Sequence, residues 1–137
     1  MKLEHIAIWT TQLEALKDFY ITYFHGVAGP KYRNEKKQFE SYFLSFQGGA
    51  RLEIMQMPSV QSGQVNHPAG QRVGLTHIAF EVESRNKVDG THHTLLADGL
   101  PIVDGPRVTG DGYYEFTTLD PDGNRVEVTC RMTQHHP

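Results

Sequence analysis

The chain has 137 residues, 38% hydrophobic and 21% charged, with a formal net charge of −3; this excludes a disordered polymer and leaves room for one ordinary domain or two small modules. The charges do not cluster into long runs of one sign, which argues against nucleic acid and membrane surfaces as partners and for a small molecule. Cys130 is the only cysteine, so no intramolecular disulfide is expected; with no signal-like leader and no run of about 20 apolar residues, the expected location is cytoplasmic.

In chain order, LEHIAIW (Leu3 to Trp9) alternates as a strand does. A helix follows from Gln12 to His25, carried by Leu13, Leu16, Phe19, Tyr20 and Phe24 at helical spacing, with Gly26 placed to terminate it in a left-handed conformation. Ser41 to Phe46 and Ile54 to Met57 have the composition of strands, and a segment rich in Pro, Ser, Gly, Gln and Asn comes next, suited to a linker or a lip over a site. LTHIAFE (Leu75 to Glu81) then repeats LEHIAIW 72 residues on. Val88, Leu95 and Leu96 suggest a second helix, interrupted by Gly90 and stopped by Gly99 and Pro101. Tyr113 to Leu119 and Val126 to Thr129 close the chain as strands, joined by the tight turn Asp120-Pro121-Asp122-Gly123. NRVEVTC (Asn124 to Cys130) repeats ARLEIMQ (Ala50 to Gln56) at an offset of 74. The chain is therefore written twice, each half a strand, a helix and about three strands. The expected organisation is one domain over 1–137, made of a first module (1–58), a linker (59–74) and a second module (75–130).

Side chains alternate faces along a strand, so the neighbours of a polar residue show which side it takes. Ile6 and Ile8 oppose His5, Leu52 and Ile54 oppose Glu53, Ile78 and Phe80 oppose His77, and Val126 and Val128 oppose Glu127. In all four strands one face is core and the other presents a His or a Glu. A lone residue of this kind is usually solvated surface. Two repeats that each place a His early and a Glu late, 48 and 50 residues apart, are hard to obtain from surface choices alone. His5, Glu53, His77 and Glu127 are the candidate ligands of one divalent ion: two imidazoles and two carboxylates suit zinc, nickel, iron, cobalt or manganese better than calcium. His92 and His93 in the second helix, and His135 and His136 near the C-terminus, are expected to face solvent.

These residues resemble the vicinal-oxygen-chelate superfamily of glyoxalase I, bleomycin-resistance proteins and extradiol dioxygenases. The carriers are HIAIWT with the LEALKDFY helix, LEIM, GLTHIAF and DPDGNRVEV, in family order from His5 to Thr129. The resemblance implies an α+β fold of two βαβββ modules whose curled mixed sheets surround a metal site. It also implies a fourth ligand at Glu53, as in glyoxalase I, where dioxygenases typically use two histidines and one glutamate. The implied activity is a divalent-metal-dependent lyase or isomerase acting on a small substrate with adjacent oxygens through an enediolate-type intermediate. Glu127 is then the first choice for the base, and Glu53 a ligand and second base. The alternatives are a non-catalytic drug- or metabolite-binding protein of the bleomycin-resistance type and an extradiol-type iron dioxygenase.

Two positions depart from glyoxalase I. Its arginine and asparagine, each four residues after a first-module ligand and serving glutathione, are Trp9 and Met57 here, which points away from a glutathione substrate. Trp9, Met55, Met57, Tyr42 and Tyr114 are candidate cup-lining residues for an apolar or aromatic portion of a substrate. Arg33, Lys36, Arg51, Arg72 and Arg107 are candidate anion contacts, although such side chains are mostly solvated surface. The modules pair within one chain or across two; short chains of this resemblance commonly pair across subunits, so a homodimer is expected.

Overall fold

Alternation in HIAIW becomes strand β1 (His5–Trp9), and the apolar stripe after it becomes helix α1 (Leu13–Phe24). The backbone N–H of Leu13 donates to Oε1 of Gln56, so a side chain from a neighbouring strand satisfies one of the donors that a helix start leaves open. At the other end the left-handed residue is His25 (φ 58°) rather than Gly26. Gly26 matters through close approach: a Cβ there would stand 3.2 Å from the Tyr20 carbonyl oxygen and from the Phe46 ring, where the Gly26 N–H closes onto that same carbonyl.

The computed structural model describes residues 1–62, 70–71 and 73–132 and divides into two units, Met1–Val65 and Asn66–Pro137. Linker residues 63–69, Arg72 and the histidines at 135 and 136 lie outside the described residues. The first unit continues with β2 (Val27–Ala28), β3 (Tyr32–Asn34), β4 (Phe39–Ser45) and β5 (Arg51–Gln56). β2 and β3 both pair antiparallel with β4, as one strand position broken at Gly29-Pro30, where proline cannot donate to a ladder. The sheet order is β1-β5-β4-β2, with β1 and β5 parallel.

The second unit repeats this order. Its elements are β6 (His77–Glu81), α2 (Arg85–Ala97), β7 (Ile102–Val108), β8 (Tyr113–Leu119) and β9 (Arg125–Arg131), in sheet order β6-β9-β8-β7 with β6 and β9 parallel. Gly90 is accommodated inside α2, and Gly99 (φ 77°) ends it as the sequence suggests, with Leu100 N–H returning to Leu95 O. The Asp120 turn forms as expected between β8 and β9. The Asp120 carboxylate accepts from the Asp122 and Asn124 backbone N–H groups at 3.0 and 2.9 Å, an Asx turn that holds the hairpin closed. The α+β class with two βαβββ modules is borne out, as two separate mixed sheets of which neither is a closed barrel.

Each helix covers one face of its own sheet. Leu13, Leu16, Phe19 and Tyr20 pack with Leu44, Leu52 and Ile54 in the first unit; Val88 and Leu95 pack with Phe116, Val126 and Val128 in the second. Full burial of such side chains contributes roughly 1.5–3 kcal/mol each, which fixes strand register, because a slip of one residue would turn these residues outward. Leu96, by contrast, is half exposed and takes no part in the core. Among the described residues no helix is long and apolar enough to cross a membrane.

Candidate metal centre

The opposite sheet faces carry the polar residues, as the alternation predicts. In the β1–β5 ladder His5 stands beside Arg51 and Ala7 beside Glu53, so His5 and Glu53 are diagonal neighbours. The β6–β9 ladder repeats this: His77 beside Arg125, Ala79 beside Glu127. The alanines are part of the design, since a small side chain opposite each glutamate leaves its carboxylate room to lean toward the histidine. His5 Nε2 is 4.0 Å from Glu53 Oε1, and His77 Nε2 is 3.4 Å from Glu127 Oε2.

Two donors about 2.1 Å from a shared ion stand roughly 3.0–3.4 Å apart at tetrahedral or octahedral angles. The His77–Glu127 pair, at 3.4 Å, already has that separation, and the His5–Glu53 pair, at 4.0 Å, stands somewhat beyond it. Both glutamates are mostly covered and both histidines about 40% exposed, a combination that keeps the nitrogen accessible. Among the described residues no three His, Cys, Asp or Glu side chains gather around one point, so each unit brings two of the four predicted residues together.

The surroundings of the two pairs differ. Around His5, the Glu4 carboxylate lies 3.3 Å from Nδ1 and the Phe43 ring stands edge-on with centroids 5.3 Å apart. The Arg51 guanidinium grips Glu4, holding its carboxyl down at about 2, and covers the Phe43 ring at 4.1 Å. Around Glu127, the ladder places Thr117 directly opposite and Glu115 one step along, opposite Thr129. The Glu127 carboxyl is pushed above its ordinary range, first by burial and further by the neighbouring negative charge of Glu115; His77 and Arg107 pull the other way. A cavity of about 420 Å³ opens onto Glu127, with Glu81, Asp111, Tyr113, Glu115, Thr129 and Arg131 in its lining.

Of the candidate cup-lining residues, Trp9 and Met55 stand side by side in the β1–β5 ladder, on the face of His5 and Glu53. Trp9 meets the Phe39 ring edge-on at 6.0 Å, and Phe39 meets Tyr32 at the same distance. Tyr42 and Tyr114 fall on the other side. Tyr42 donates to Glu14 of α1 and Tyr114 to Asp89 of α2, so both hydroxyls tie a helix to its sheet. The reason is register: Tyr42 pairs with the buried Ile54 and Tyr114 with the buried Cys130. His92 likewise does more than face solvent, packing edge-on against the buried Phe116 at 5.2 Å. Of the cations, Arg33, Arg51 and Arg107 are paired with Glu40, Glu4 and Asp104, whereas Lys36 is exposed.

Glu4, Phe43, Glu115 and Thr129 are the neighbours that sequence reasoning passed over. The repeat could have exposed Glu115, because aligning the DPDG hairpin strands places it one alternation step from the residue opposite Glu127. Nothing in the sequence singles out Glu4, whose role depends on the turn of its side chain.

The family model for the Glyoxalase/Bleomycin resistance protein/Dioxygenase superfamily matches residues 2–128. Among curated proteins, YqjT of Bacillus subtilis (strain 168), itself uncharacterized, is 40% identical over 62 residues, which cover 43% of this chain and 48% of that protein. The match thus spans about half the length of the relative. Among solved structures, the trypanothione-dependent glyoxalase I of Leishmania major superposes with a TM-score of 0.73 at 21% identity, covering 93% of this chain and 85% of that one. Lactoylglutathione lyase from Agrobacterium tumefaciens superposes with a TM-score of 0.66 at 24% identity, over 93% and 91%. A glyoxylase/bleomycin resistance protein/dioxygenase domain from Frankia sp. EAN1pec gives 0.78 at 15%, over 96% and 98%. At these identities the structural likenesses establish the fold.

Proposed function

The chain belongs to the Glyoxalase/Bleomycin resistance protein/Dioxygenase superfamily, and from that premise we propose that it is a divalent-metal-dependent lyase or isomerase of the glyoxalase I kind, acting on a small substrate with two adjacent oxygens. The observation that carries this reading is the repeated His–Glu pair, His5 with Glu53 and His77 with Glu127, each on the helix-free face of its sheet. In the proposed centre the two pairs combine around one ion, within a chain or across a homodimer.

A bound divalent ion would hold the two substrate oxygens and draw off negative charge as a carbon-bound proton leaves. The protein supplies the proton transfer. Glu127 is the proposed base: in the metal-free protein burial and Glu115 raise its proton affinity above that of an ordinary carboxylate, and as a ligand it has to loosen from the ion before it can take the proton. Returning the proton to the adjacent carbon from the same carboxyl completes an isomerisation without loss of atoms. Glu53 is the proposed second carboxylate ligand. Two imidazole nitrogens and two carboxylates suit zinc, nickel, iron, cobalt or manganese.

The substrate proposed is not glutathione-linked. Trp9 occupies the place of an arginine that serves glutathione in glyoxalase I, and with Phe39, Tyr32 and Met55 it makes an apolar surface along the strand from His5. That surface also favours a second reading, a protein that binds an apolar drug or metabolite without turning it over. Purified protein loaded in turn with zinc, nickel, cobalt and manganese and assayed on hemithioacetals of methylglyoxal with several thiols separates the two. Metal-dependent turnover supports the enzyme; tight binding of an apolar ligand with no turnover under any metal supports the binding protein.

A further inference from the structure

The histidine of the first unit is held by a closed ring of side chains, and we propose that Glu4 and Arg51 are positioning residues that fix the His5 imidazole in one tautomer and one orientation. The inference rests on the reading of His5 as a metal ligand. The two nitrogens of this ring face two carboxylates: Nδ1 is 3.3 Å from Glu4 Oε1, and Nε2 is 4.0 Å from Glu53 Oε1. A carboxylate can only accept, so in neutral His5 the Glu4 contact requires the proton on Nδ1. Nε2 is then left with its lone pair toward Glu53, the form in which an imidazole binds a metal.

Glu4 is itself held. Arg51, the ladder partner of His5, donates from Nε to Glu4 Oε2 at 2.9 Å and from its terminal nitrogen to Oε1, a fork that fixes the plane of the carboxylate. The Arg51 backbone N–H also donates to the Glu4 carbonyl at 2.8 Å. The guanidinium lies 4.1 Å over the Phe43 ring, whose edge-on contact with His5 closes the circle. His5 would otherwise be a half-exposed side chain able to turn freely, and each contact removes one of its alternatives.

Among the described residues the second unit shows no such ring around His77. The residues at the corresponding positions are Thr76, Arg125 and Thr117, and Arg125 donates to the Gly70 carbonyl and to Gln71. The two His–Glu pairs are therefore unequal, the first prearranged by its neighbours.

The test is made on the intact protein. With 15N-labelled histidine in the metal-free protein at about pH 8, where an unperturbed imidazole is neutral, long-range proton–nitrogen correlation identifies the protonated nitrogen of His5. Zinc affinity is measured separately by competition with a chromophoric chelator. The wild type is expected to show His5 protonated on Nδ1. Glu4→Ala and Arg51→Met are expected to shift His5 toward the Nε2-protonated form that free imidazole side chains favour, and to weaken zinc binding about 10–100-fold. The His77 signals stay unchanged in both variants. Glu4→Gln, which keeps an acceptor oxygen, restores part of the wild-type pattern; a residue needed only for folding would not give that graded response. A mixed tautomer in the wild type, or variants within about twofold of it in both readouts, would overturn the proposal. If the wild type took up no zinc, the ligand reading of His5 would fall, while the tautomer spectrum would still decide whether Glu4 fixes the ring.

Discussion

Nε2 of His77 lies 3.4 Å from Oε2 of Glu127, and this contact sets binding against stability within one pair of strands. Burial and the charge of Glu115 make an ionised Glu127 costly in the metal-free protein. Because the folded-state pKa is raised, the cost is present in full above that value and is relieved as pH falls through it toward the ordinary 4.5. Glu127→Gln should therefore stabilise the metal-free protein at neutral pH, with the advantage vanishing on acidification through that window. The same variant should lose metal-dependent turnover. Urea unfolding at a series of pH values, with chelator present, measures the first effect.

The hydroxyl of Tyr114 donates to Asp89 at 2.6 Å on the helix side of the sheet. Tyr114→Phe should cost about 1.5–3 kcal/mol of stability, the scale of a hydrogen bond to a charged group, and leave turnover unchanged. Thermal unfolding and a rate assay on one preparation check both halves.

Glu14 accepts hydrogen bonds from Lys17, Lys31 and Tyr42, which lower its pKa from 4.5 to about 2, the Lys17 contact contributing most. The sign follows from the lowered folded value: the stabilisation is present above about 4.5 and is lost as pH falls toward about 2. Glu14→Gln should be less stable than wild type at neutral pH, with the gap closing across that interval. The side chain is half exposed, so added salt should shrink the gap as well.

Gly105 has φ 79°, and a Cβ there would come within 2.5 Å of the Glu115 carbonyl oxygen. Gly105→Ala must therefore strain its backbone and push β7 from β8, costing on the order of 2–3 kcal/mol. Glu115 lies on the displaced strand, so turnover should fall too. Denaturant midpoints, compared with those of Gly110→Ala, where a Cβ meets open space, isolate the clash.

The duplicated pattern made much of this architecture legible. LEHIAIW and LTHIAFE, with ARLEIMQ and NRVEVTC, marked the strands of both units, and alternation placed His5, Glu53, His77 and Glu127 on the faces opposite the core, whereas the parallel pairing of those strands came only with the structure. The helix end at His25, the broken strand at Gly29-Pro30 and the inward turn of Tyr42 and Tyr114 were not legible, because each depends on register or close approach rather than composition. The differing environments of the two His–Glu pairs were hidden for the same reason. Glu4 becomes a partner of His5 only once Arg51 is fixed beside it by the parallel ladder.

The measurement closest to the central claim is elemental analysis of freshly purified protein, wild type beside Glu53→Gln and His77→Ala, with far-UV circular dichroism to show that all three are folded. The account predicts near-stoichiometric metal per proposed centre in the wild type and its loss in both variants, one from each unit. No metal in the wild type even after reconstitution, or metal retained in both variants, would contradict it.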